Sequence, residues 1–168
     1  MVNLVAKELL LQKKQLLFGI AYILLFIFSF QSMGPAAASA GVVGFTYLLV
    51  MTSCAYDDKN KTDVMLNSLP IRRSSIVAAK YISVFVFLLM GMMVYVLLIS
   101  IIKVVRVPVT VYPLTSEGFV GGVFAVSFLA GIYLPIFFKV GYLKSRIFNF
   151  MLFFLFFFGA QFIVTVLQ

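Results

Sequence analysis

The chain has 168 residues, 64% of them hydrophobic and 11% charged, with 13 Lys and Arg against 5 Asp and Glu, a net charge of +8 and no histidine. A soluble domain of this size is about half apolar and a quarter charged, so a water-soluble fold is excluded and the excess apolar surface has to face lipid. The lack of histidine removes Ser–His and Cys–His nucleophilic sites and all histidine metal sites, and a single cysteine, Cys54, excludes an intrachain disulfide.

The first predicted element is a short interfacial helix over Val2–Gln12, within residues 1–14. Asn3, Lys7, Glu8 and Gln12 lie on one face and Val2, Val5, Ala6 and Leu9 on the other. A cytosolic extension of the first span is the competing reading. The first apolar run, Leu16–Phe30, is short for a span of roughly 20 residues. Together with Lys13, Lys14 and the small residues Ala36–Ala40 it also resembles a cleavable signal peptide; an uncleaved first helix is preferred. The second run is Ala36–Tyr56, where Ala36, Ala40 and Gly44 recur every fourth position and Ala37 and Gly41 form a second stripe, a pattern that lets helix backbones approach closely. Cys54 falls here and reads as an inert buried thiol. Asp57 and Asp58 read as solvated charges at its end.

A polar segment, 57–80, leads to the third run, Tyr81–Ile102. The fourth, Gly118–Phe138, carries the small pairs Gly118 and Gly122, and Gly121 and Ala125. Pro135 is predicted to kink it. The fifth, Ile147–Leu167, is rich in phenylalanine. The fold class is therefore all-α: one polytopic transmembrane helix bundle over 1–168 with five visible spans. No Asp, Glu, Lys or Arg falls inside these runs. Ion-coupled carriers keep ionisable groups near the midplane, so an ion-coupled carrier is disfavoured.

The charges between the runs set the topology. Lys7, Lys13 and Lys14 precede the first run, and the first loop, 31–35, has none. Lys59, Lys61, Arg72, Arg73 and Lys80 follow the second run, Lys103 and Arg106 the third, and Lys139, Lys144 and Arg146 the fourth. All but Lys103 and Arg106 of the 13 fall on one side, which the positive-inside rule makes cytoplasmic. The N-terminus is then cytoplasmic and the C-terminus external. Spread between apolar runs, the charge fits lipid headgroups and not nucleic acid. Tryptophan is absent, and Tyr22, Tyr47, Tyr56, Tyr81, Tyr112 and Tyr142 are expected to supply part of the interfacial belt.

Segment 57–80 is the most informative. Asn60 or Thr62 is expected to cap a short helix that Pro70 ends, and Ser74 to cap the helix running into the third span. Val64, Met65, Leu66 and Leu69 place apolar groups outside the membrane, where the lipid interface or another protein must cover them. The helix–stop–helix shape favours a protein groove.

In that position the ordered set Tyr56-Asp57, Ser68-Leu69-Pro70, Arg73, Ile76-Val77 and Lys80-Tyr81, with Leu4, Lys7, Glu8 and Leu9 ahead of the first span, resembles the permease subunits of bacterial ABC-2 type transporters, in their small-permease branch. The resemblance implies six helices; the sixth has no counterpart in these residues. It implies a pair of permeases, self-paired or with a paralogue, in the plasma membrane and served by cytosolic ABC ATPase subunits. It also implies a coupling helix at about Thr62–Leu69 with a turn at Pro70–Arg73. The partner-binding residues carried over are Val64, Met65, Leu66, Asn67, Ser68, Leu69, Pro70, Ile71, Arg72 and Arg73; Ala36, Ala40, Gly44, Gly118 and Gly122 are expected to pack helices. The chain has no G-x-x-x-x-G-K-[ST] motif, so it is not expected to be an enzyme or to bind a cofactor directly; ATP would enter through the partner. The expected function is export of an amphipathic or hydrophobic substrate, a peptide, antibiotic or lipid-like molecule, suited by the rings at Phe148, Phe150, Phe153, Phe154 and Phe156–Phe158, most of which read first as lipid-facing bulk. The alternative is a non-transporting membrane anchor or sensor that recruits a cytosolic partner through the same segment. An intramembrane protease has little support, because the Tyr56-Asp57 pair lacks its second aspartate in a glycine-rich context.

Overall fold

The computed structural model of the chain describes residues 2–31, 34–62, 65, 68, 72–106, 111–142, 144–148, 150, 151 and 154. Among them there is no strand, and the protein is an all-α membrane helix bundle. The helices are α1 (Val2–Leu11), α2 (Lys13–Ser29), α3 (Ala36–Lys59), α4 (Arg73–Val105) and α5 (Ser116–Val140). The chain forms two compact units, Met1–Ala130 and Gly131–Gln168.

Helices α3, α4 and α5 are each long and apolar enough to cross a membrane. The expected first span is shorter: α2 has 17 residues and counts as a crossing only together with α1, from which it is bent by 64°. Helix α1 is therefore not a straight continuation of α2. The fifth expected span lies mostly outside the described residues; there Phe148, Phe150, Met151 and Phe154 are exposed on helical backbone.

Helix α3 is the centre of the first unit, with 67% of its apolar window buried against 39% in α4 and 33% in α5. Small residues on α3 and its neighbours make this density possible. A Cβ at Gly41 would stand 3.1 Å from the Phe26 ring of α2, and Gly44 receives the Tyr22 hydroxyl. The fully buried Phe45 ring fills the space between Gly19 of α2 and Gly91 of α4. A Cβ at Gly91 would come within 2.7 Å of Phe45 Cδ1, and one at Gly19 would overlap the other edge of the ring. Three backbones therefore converge on one side chain, the close approach that small residues permit in membranes.

Of the expected packing positions, Ala36 is exposed and Ala40 half-buried. Gly118 lies near Ser39, whose Cβ would be 3.6 Å from an added Cβ, and Gly122 near Val43 and Met92, at 3.8 and 3.9 Å. Gly121 faces open space. Tyr22 packs on Gly44 and Tyr47 is buried along α3, because gaps left by small residues accept large rings.

Helix α4 has 33 residues. At 1.5 Å per residue it rises about 50 Å, against about 30 Å of hydrocarbon. The helix is therefore longer than the apolar layer is thick. Pro135 lies inside α5, which continues to Val140 and ends at Gly141 in the left-handed region (φ 82°), its N–H bonded to the Phe137 carbonyl at 3.0 Å. In the second unit the Tyr133 and Phe137 rings stack with centroids 6.2 Å apart.

Candidate functional site

The residues that converge in the first unit come from three helices. On α3, Leu49, Thr52, Ser53, Tyr56 and Asp57 are spaced by three and four and share a face. On α1, Glu8 and, just past its end, Gln12 are four apart. Lys80 enters from the second turn of α4. The two polar faces meet, and Lys80 closes the gap between them.

Lys80 Nζ is the hub. It donates to both oxygens of Glu8 at 3.1 Å, to Ser53 Oγ at 2.6 Å and to Asp57 Oδ2. Ser53 Oγ donates to Glu8 Oε2. The other Asp57 oxygen accepts from Lys7 Nζ at 2.9 Å, and Lys7 Nζ lies 3.7 Å from Glu8 Oε1. Glu8 is 6% exposed, Lys80 7% and Asp57 9%. Two cations and two carboxylates thus form a neutral set, three of them buried and Lys7 half-buried at its edge. Isolating one member of such a set costs about 3–5 kcal/mol, because a bare charge stays behind. With every Nζ donor directed at an acceptor, Lys80 is an interlock.

Below the charges runs a neutral layer. Gln12 is fully buried; its Nε2 donates to the Leu49 carbonyl at 2.9 Å and its Oε1 accepts from Thr52 Oγ1 at 3.1 Å. Gln15 Nε2 donates to the Tyr56 hydroxyl at 3.4 Å. Gln12→Met is expected to cost about 1–2 kcal/mol of unfolding free energy, read by denaturant titration in detergent. Thr52 keeps the Leu48 and Leu49 carbonyls as partners, which holds the cost to that range. An unchanged midpoint would mean that the α1–α3 contact does not depend on Gln12.

Two expectations are corrected here. Asp57 is not a solvated charge; only Asp58 is exposed. Helix α3 runs past Tyr56 to Lys59 and α4 starts at Arg73, ahead of Tyr81, so charges outside the apolar runs still lie between packed helices. Glu8 and Gln12 on the polar face of α1 are buried, while Leu10 is 61% exposed. An amphipathic helix beside lipid can turn its apolar face outward and bury its polar one.

The cluster sits at the two roots of segment 60–72. Of the expected partner-binding residues, Met65, Ser68, Arg72 and Arg73 are described and exposed; Val64, Leu66, Asn67, Leu69, Pro70 and Ile71 lie outside the described residues. Ser68 Oγ donates to the Met65 carbonyl at 2.7 Å, and the Met65 N–H to the Lys61 carbonyl at 3.4 Å. Thr62 is buried. Asn60 does not start a helix but ends α3, its N–H bonded to the Tyr56 carbonyl. Ser74 is inside α4, whose N-cap is Arg72 in extended conformation (φ −66°, ψ 134°). The Ser75 N–H, bonded to the Arg72 carbonyl at 2.9 Å, closes that first turn without a side-chain cap.

Glu8, Ser53 and Lys80 were not among the expected site residues. A signal for them was present. Ser53 and Asp57 are one helical turn apart, as are Glu8 and Gln12, and acids number only 5 in the chain.

A family profile described as ABC-2 family transporter protein matches residues 3–168. No curated protein and no solved structure matches the chain.

Proposed function

The chain belongs to the ABC-2 transporter family, and on that premise we propose that it is the permease subunit of a bacterial ABC transporter that exports an amphipathic or hydrophobic substrate. ATP is hydrolysed by separate cytosolic ATPase subunits, and two permeases, identical or paralogous, flank the path. The observation that carries the reading is the clamp at the base of segment 60–72. Asp57 before it is bonded to Lys80 after it, and Lys80 also to Glu8, so a load on the segment passes directly into α3 and α4. Lys7, Lys59, Lys61, Arg72 and Arg73 gather at this end, which supports a cytoplasmic side. The exposed faces of α4 (Phe85, Leu89, Met93, Leu97) and α5 (Phe124, Phe128) are apolar, which suits a cargo with a large apolar part and not an ion.

The test is co-purification of the permease with its cognate ATPase in nanodiscs. Leu69→Asp and Arg73→Glu are each expected to weaken the complex tenfold or more, about 1.4 kcal/mol, and to abolish the permease effect on ATP hydrolysis. If wild type retains no ATPase, the reading fails. If it retains the ATPase without altering hydrolysis, a non-transporting anchor or sensor becomes the better account.

A further inference from the structure

We propose that Lys7 and Glu8 of α1 are positioning residues for coupling: they take over the buried charges of Asp57 and Lys80 when the two roots of segment 60–72 move apart. The inference rests on the permease reading above.

The ionic link between the roots is the Lys80–Asp57 pair, beside the hydrogen bond from Lys80 to Ser53 of α3. Separating α3 from α4 breaks it, and two bare charges in a buried setting would resist the motion strongly. Each charge already has a second partner at bonding distance. Asp57 Oδ1 holds Lys7 Nζ at 2.9 Å, and Lys80 Nζ is 3.1 Å from each Glu8 oxygen. After the break two neutral pairs remain, Lys7–Asp57 and Glu8–Lys80, and both include α1. No charge is left alone, and α1 becomes the bridge between the parted helices.

The opposite division, in which α1 leaves with its own pair, is less prepared. Lys7 and Glu8 stand 3.7 Å apart, beyond hydrogen-bonding distance. The 64° bend between α1 and α2 gives α1 an axis of its own, so a movement of α1 need not drag α2 along that axis. Gln12, bonded to the Leu49 carbonyl, anchors the pivot end. The cluster is thus a joint with two charge-balanced arrangements, and α1 is the part that both share.

The experiment uses the whole permease–ATPase complex in nanodiscs, with spin labels on Lys59→Cys and Ser74→Cys, exposed positions on the two roots; buried Cys54 stays in place. The label distance is measured without nucleotide and with ATP trapped by vanadate. Wild type is expected to show a distance change between the two states. Lys7→Gln/Glu8→Gln leaves a neutral Lys80–Asp57 pair. It should still bind the ATPase, hold the short distance in both states and lose permease-dependent hydrolysis. Lys7→Arg/Glu8→Asp keeps all four charges and should keep the change. Should the double glutamine variant not assemble, Lys7→Gln alone, which leaves Asp57 only Lys80, should also hold the roots together. A full-size distance change in the glutamine variants overturns the proposal, as does a wild-type complex whose roots never part. In both cases a bound ATPase leaves the permease reading standing, whereas absence of the ATPase from wild type removes both.

Discussion

Lys80→Met is expected to destabilise the bundle by about 3–5 kcal/mol, among the largest losses any single substitution in this chain should produce. The side chain is nearly fully enclosed and donates to Glu8, Ser53 and Asp57 at once. Methionine fills much of the same volume, so the loss isolates the charge. Lys7 alone then faces two buried carboxylates. Adding Glu8→Gln removes one of them and leaves the neutral Lys7–Asp57 pair, so the double variant should be more stable than Lys80→Met by about 1–3 kcal/mol. Denaturant titration of purified protein in detergent measures both. If Lys80→Met unfolds within about 0.5 kcal/mol of wild type, as an ordinary surface substitution does, the four charges are hydrated and the interlock is wrong.

Gly19→Ala should cost about 1–3 kcal/mol, against the usual trend for helices. Alanine is the better helix former by about 1 kcal/mol, and Gly121→Ala, where an added Cβ meets nothing within 4 Å, should be neutral or slightly stabilising. At Gly19 the new methyl overlaps the Phe45 ring, and Gly91 confines that ring from the other side. The ring cannot retreat, so α2 or α4 has to move outward. Phe45→Leu in the Gly19→Ala background should recover a good part of the loss while being destabilising alone. Equal stabilities for Gly19→Ala and Gly121→Ala would show that the three helices do not close on Phe45.

These two sites were unequally readable. Gly19 and Gly91 are single glycines in apolar runs, and such a glycine commonly marks a close approach; the four-residue stripes drew attention instead to Ala36, Ala40 and Gly44. Gly44 meets Tyr22, whereas Ala36 is exposed. A stripe defines a face of one helix, and which face is used depends on the ring the next helix brings. The charges were harder to read. Asp57 and Lys80 flank a polar segment and are 23 residues apart, and ordinary experience places such charges in water. Only the continuation of α3 and α4 beyond their apolar runs puts them between helices.

What the sequence determined by itself is residence in a membrane, an all-α fold, and the placement of α3, α4 and α5. These follow from local properties: the bilayer demands a long apolar run and a helix that satisfies its own backbone. What the tertiary structure decided is the inward direction. Lipid outside is as apolar as the packed interior, so hydrophobicity does not tell the two sides of a helix apart. The burial of Glu8 and Gln12, the exposure of Leu10 and the closure of Gly19 and Gly91 on Phe45 arise only when α1, α2, α3 and α4 meet, because each depends on a partner far away in the chain.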